Sequence, residues 1–188
     1  MKAFRALLAA GVLGLAGCST QPQGPAAPPP AANSAAASPT VSFGGTDLAW
    51  IEINIAMDEQ LKPLLDLVPS RSGSPAVQAL ATQVSAFTDA ELSVLRELRD
   101  QAGLPPVNPH QGMPMPGMVT ADQVAKASKL VGREFDKLVV DQIKGHLDQS
   151  RSLAHSEDQS GVEQQTRSLA LQVLRTREQA LSTLKKAQ

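Results

Sequence analysis

The chain has 188 residues, with 17 Lys and Arg against 18 Asp and Glu, so its formal charge is −1 and no basic face for nucleic acid is implied. A single cysteine excludes a disulfide framework. Aromatic residues are only 3% of the chain, which argues against strand-rich architecture.

Residues 1–17 open with Lys2 and Arg5, continue in an apolar run too short to span a bilayer as a helix, and end in Leu15-Ala16-Gly17 before Cys18. That order predicts a lipoprotein signal peptide cleaved before Cys18. The Cys18 thiol then carries lipid, palmitate included, and holds the protein on the extracytoplasmic side of a bacterial membrane in the cell envelope. Losing Lys2 and Arg5 moves the formal charge from −1 to −3. Lipidation would also remove the one thiol nucleophile. Residues 18–42, rich in Ala, Pro and Ser around Pro28-Pro29-Pro30, read as an anchor and tether, because they cannot bury enough apolar surface to offset their ordering entropy.

Residues 43–188 are expected to be one all-α domain, since apolar residues recur at helical spacing without strand alternation. A first helix is expected over residues 46–67, with Ile51, Ile55, Leu61, Leu64 and Leu65 inward and a kink at Pro63. A second starts near Ser74 with Pro75 at its first position and ends at Ala102 before Gly103. A Pro, Gly and Met loop follows. Thr120-Ala121-Asp122-Gln123 is a capping box for a short helix reaching about residue 131, closed by Gly132. Two more helices are expected over residues 134–156 and from 162 to the end, with Glu157-Asp158 in the hinge and His155 at a helix C-terminus.

Sliding the chain on itself by 89 residues carries Asp47 onto Asp136 without a gap. Gln60 then meets Gln149, Leu64 meets Leu153, Leu80-Ala81 meets Leu169-Ala170, and Leu92-Ser93 meets Leu181-Ser182. The units, about 46–102 and 135–188, are two helical hairpins. Packed on their apolar stripes, they predict a four-helix bundle with a short helix in the crossover.

Phe135-Asp136, Val139-Val140, Ile143, His146-Leu147 and Leu153-Ala154 resemble the hairpin of the ferritin-like bacterial envelope family called domain of unknown function 305, as do Leu80-Ala81, Glu91-Leu92 and Leu95. The resemblance implies two His-His pairs, two Gln and two Glu. Here those positions hold Met57-Asp58 and His146-Leu147, Thr88 and Arg177, Glu91 and Ala180. Some relatives look like copper binders, and the paired imidazoles would be their ligands, so this chain departs from the family where a metal would sit.

Glu91, Arg177 and His146 fall on apolar stripes, with Met57 in the same layer. A buried carboxylate needs a counter-charge, and Arg177 can supply one where relatives would keep a metal. Either Glu91 pairs with Arg177, joined by His146, or Arg177 snorkels outward. The crossover carries His110, Met113, Met115 and Met118, soft donors that with His146 suit Cu(I), or else an apolar flap on the bundle. The sequence has no nucleophile elbow, phosphate loop or di-iron Glu-x-x-His pair, so a non-enzymatic interaction module of the envelope is expected, with a copper-binding lipoprotein as the alternative.

Overall fold

The structure, a computed structural model, describes residues 42–187, with side chains through Lys185. The signal peptide, Cys18 and nearly all of the tether lie outside the described residues.

Six helices form: α1 Gly45–Leu65, α2 Val68–Arg71, α3 Pro75–Gln101, α4 Ala121–Ala127, α5 Gly132–Ser160 and α6 Gln164–Ala187. The four long ones pack as a closed ring in which α1 touches α3 and α5, and α6 touches α3 and α5. This is the expected four-helix bundle of two hairpins, with α4 in the crossover.

Several local signals act as anticipated. The Ser74 hydroxyl accepts the Val77 N–H, capping α3 with Pro75 in its first turn. Past the other end of α3, Gly103 takes φ of 67° and lets the chain leave the helix. Thr120 and Gln123 exchange both bonds of the capping box at α4.

Other boundaries moved. The first helix is two pieces: Pro63 sits in the last turn of α1, the chain breaks after Leu65, and Val68–Arg71 make a separate turn. Helix α4 stops at Ala127 rather than near 131, and Gly132, at φ of 59°, opens α5 instead of closing α4. Helix α5 runs to Ser160, so Glu157 and Asp158 lie within it and not in a hinge. His155 is therefore inside the helix, and its ring meets the Gln159 side chain at 3.0 Å in place of a terminal carbonyl.

The inner faces carry the apolar stripes. On α3 they are Val77, Leu80, Ala81, Val84, Leu92, Leu95 and Leu98, at spacings of three and four, interrupted by Thr88 and Glu91. One apolar cluster centres on Leu61, Leu64, Phe135, Val139 and Ile143, and another on Trp50, Ile51, Leu95, Leu98 and Val173. Each such side chain contributes about 1.5–3 kcal/mol on burial. The polar layer lies among these helices.

Candidate functional site

The eight positions at which Met57-Asp58, Thr88, Glu91, His146-Leu147, Arg177 and Ala180 replace a paired polar pattern are all buried. Helical spacing explains the convergence: each hairpin supplies two such positions from its first helix and two from its second. The offset of 89 takes Met57-Asp58 onto His146-Leu147, Thr88 onto Arg177 and Glu91 onto Ala180, and in the bundle Asp58 faces His146 while Glu91 faces Arg177.

Arg177 is among the largest fully buried side chains of the described residues. Its Nη1 and Nη2 donate to Glu91 Oε1 and Oε2 at 2.9 and 2.7 Å, a parallel fork. Its Nε donates to Ser150 Oγ at 2.7 Å, and Nη1 also reaches Thr176 Oγ1 at 3.2 Å. The Phe87 ring lies 4.4 Å from the guanidinium carbon. The guanidinium thus stays in the core, and the snorkelling alternative does not describe it.

Asp58 extends the layer. Its Oδ1 lies 3.7 Å from Arg177 Nη2 and 3.4 Å from His146 Nε2, yet neither carboxylate oxygen has a hydrogen-bond partner, and neither does either His146 nitrogen. Burial pushes Glu91 up to about 7, opposed by the Arg177 charge and aided by Asp58. Burial also holds the His146 imidazole below its ordinary range, although Asp58 pulls the other way.

The soft donors of the crossover separate. Met115 and Met118 pack with Met57 and Ala56 in a small apolar cluster, and Gln60 Nε2 donates to Met118 Sδ at 3.3 Å. The Met113 side chain is exposed. His110 turns to Glu52, at 3.9 Å, whereas His146 turns to Asp58. Six residues separate those two acids, a rise of about 9 Å along α1. The loop is built as a flap, and the five donors His110, Met113, Met115, Met118 and His146 do not form one ligand set. Among the described residues no three His, Cys, Asp or Glu side chains gather as a metal cage. A metal does not fit the layer either, because the Arg177 fork already fills Glu91 and places a permanent cation beside Asp58.

Sequence reasoning missed Asp58 and Ser150 as members. Both were detectable: Asp58 lies three residues from Ile55 and Leu61, and Ser150 lies one turn after His146. It also missed a second buried acid group at one end of the bundle. Asp47 accepts N–H bonds from Gly44 at 2.6 Å, Val162 at 3.0 Å and Glu163 at 3.1 Å, joining the starts of α1 and α6. Burial works against its charge, but these bonds and the Glu157 carboxyl hold Asp47 below the usual range. Glu157 is fully buried beside it, and burial, then Asp47, push it up to about 8.

The sequence profile of the domain of unknown function 305 family matches residues 56–188. No curated protein matches the chain. Among solved structures, a crystal structure of a protein of this family from Streptomyces coelicolor superposes with a TM-score of 0.66 at 18% identity, over 74% of this chain and 89% of that one. A crystal structure of a fragment from the same family in Deinococcus radiodurans gives 0.67 at 16% identity, over 77% and 95%. At these identities the likeness concerns the fold.

Proposed function

We propose, given that this chain belongs to the domain of unknown function 305 family, that it is a lipid-anchored envelope protein whose bundle makes protein contacts and performs no catalysis. The observation that carries this reading is the Arg177–Glu91 fork. Where the family resemblance would place polar ligands, this core is closed around its own cation, which leaves the outer surface of the bundle to do the work. The Leu15-Ala16-Gly17-Cys18 signal and the Pro-rich stretch after it support attachment at a distance from the membrane. No helix of the described residues is long and apolar enough to cross a membrane.

The competing reading, a copper-binding lipoprotein, has less support because its donors diverge. One experiment separates them. The full chain, expressed in a bacterium, is compared with Cys18→Ser by membrane fractionation and intact mass, and the purified protein is titrated anaerobically with Cu(I) against a chelator. The proposal expects a lipid-modified membrane form lost in Cys18→Ser, with no stoichiometric copper. Tight copper binding that disappears when Met113, Met115 and Met118 are replaced would establish the loop as a copper site and overturn the proposal. A wild-type chain left unmodified and soluble would remove the anchor.

A further inference from the structure

We propose that the crossover flap is an oxidation site, with Met115 the thioether whose reversible conversion to the sulfoxide by a peroxide releases the flap from the bundle. The chain has five methionines and one cysteine. Met1 and Cys18 lie outside the described residues. The other four, Met57, Met113, Met115 and Met118, all lie in the crossover or directly beneath it. Methionine is a gap-filler that suits any irregular core, yet here all the sulfur of the bundle is gathered at one place.

Exposure of these side chains is graded. Met113 is 45% exposed, Met115 is half-buried, and Met118 and Met57 are 4% and 1% exposed. From Gln111 to Pro116 every residue except Met115 is exposed. The flap is tied on either side of that stretch. Asn108 Nδ2 donates to the Glu52 carbonyl at 2.7 Å. Gly117, at φ of 75°, seats on α5, where a Cβ would fall 2.4 Å from Gln149 Cβ and 2.9 Å from the Gly145 carbonyl oxygen. Between Gln111 and Pro116 it is Met115 that turns inward, packed on Ala56, Met57 and Met118.

The chemistry is a two-electron step. A lone pair of the Met115 sulfur attacks one oxygen of hydrogen peroxide and the O–O bond breaks. The other oxygen leaves as hydroxide and takes the proton of the first to become water, so sulfur is oxidised and peroxide reduced. The product carries a polar oxygen where the thioether met apolar neighbours. Gln60 Nε2, the amide donor at this cluster, already donates to the Ala56 carbonyl at 3.1 Å and to Met118 Sδ at 3.3 Å, so both of its N–H groups are engaged. An oxygen without a donor is disfavoured in apolar surroundings, and the Met115 sulfoxide turns out to solvent. The Met118 N–H, which donates to the Met115 carbonyl at 3.1 Å, then loses its support, and Met118 and Met57 open to oxidation in turn. Met113, already exposed, holds nothing in place and its sulfoxide changes nothing.

The test treats the full chain with hydrogen peroxide. Peptide mass spectrometry follows each methionine, and amide hydrogen exchange reads the flap at Met118 and Val119. Met113 and Met115 should oxidise first, and Met118 and Met57 only after Met115. Protection at Met118 and Val119 should fall about tenfold once Met115 is oxidised, the scale on which an unpartnered polar group is disfavoured in apolar surroundings. It should return after treatment with methionine sulfoxide reductases for both epimers. Met115→Leu keeps the packing and cannot be oxidised, so its Met118 and Met57 should stay reduced and its flap protected, whereas Met113→Leu should respond as wild type does. Oxidation of Met118 and Met57 at the wild-type rate in Met115→Leu would overturn the proposal. So would a flap that keeps its protection with Met115 oxidised, a loss the reductases do not reverse, or a response abolished in Met113→Leu.

Discussion

Replacing Arg177 with Met keeps an unbranched apolar stem and removes the charge, stranding Glu91 and Asp58 in a buried layer. Taking one partner from a buried ion pair costs about 3–5 kcal/mol, because the remaining charge is desolvated without compensation. Arg177→Met should lose that much at pH 8 and less at pH 6, where Glu91, already near 7, can take a proton. Glu91→Leu leaves Arg177 with Ser150 and the more distant Asp58, and should lose a similar amount. The double variant is the informative one. Swapping both partners for apolar side chains is often close to neutral, so Arg177→Met/Glu91→Leu should lie within about 2 kcal/mol of wild type, less harmed than either single change. Urea unfolding followed by circular dichroism at 222 nm measures all four proteins. If the double variant loses the sum of the singles, the two side chains act independently and the ion-pair argument fails.

Glu157→Gln tests the acid pair at the end of the bundle. The folded value of Glu157, about 8, lies above the ordinary 4.5, so its contribution is whole below pH 4.5 and drains away as pH rises to 8. Gln does not ionise, and the variant should gain on wild type steadily from pH 5 to 8 in thermal unfolding; a constant difference would contradict this. Asp47→Ala removes the acceptor for N–H groups at the starts of two helices and should cost about 1–2 kcal/mol at pH 7. Because Asp47 is held below its usual range, that loss should shrink under acid conditions below about pH 4, and a loss that persists there would point to packing instead. Gly117→Ala meets both a left-handed backbone and the Gln149 contact, and should lower the unfolding midpoint by at least the 1–2 kcal/mol of the backbone term. An unchanged midpoint would show that the loop seat yields easily.

Much of the bundle was legible in the residues because its signals are local. Ser74 with Pro75 and Thr120 with Gln123 each carry their own capping chemistry within four residues, and the apolar spacing of Leu80, Val84 and Leu95 needs no partner to be read. The repeat supplied the pairing of hairpins. What the sequence hid depends on distant contacts. Glu157 and Asp158 look like a solvated turn until α5 is seen to continue to Ser160, with Asp47 from the far end of the chain bonding beside them. Asp58 stands next to Met57 at one of the paired positions, and its place in the layer follows only when α5 brings His146 to it. The loop methionines carry no spacing that says whether they converge.

The two hairpins have divided the charges of the inner layer unequally. The first supplies Asp58 and Glu91, and the second supplies His146 and Arg177. Two copies of the first half, brought together in the same geometry, would face acid with acid; two copies of the second would face base with base. Only the unlike combination sets acids against bases in the interior. The divergence of the repeats therefore acts as a lock and key between first and second hairpins and opposes the pairing of like with like. Halves expressed separately should combine one to one in solution, and self-association of either half as firm as the mixed pair would argue against this.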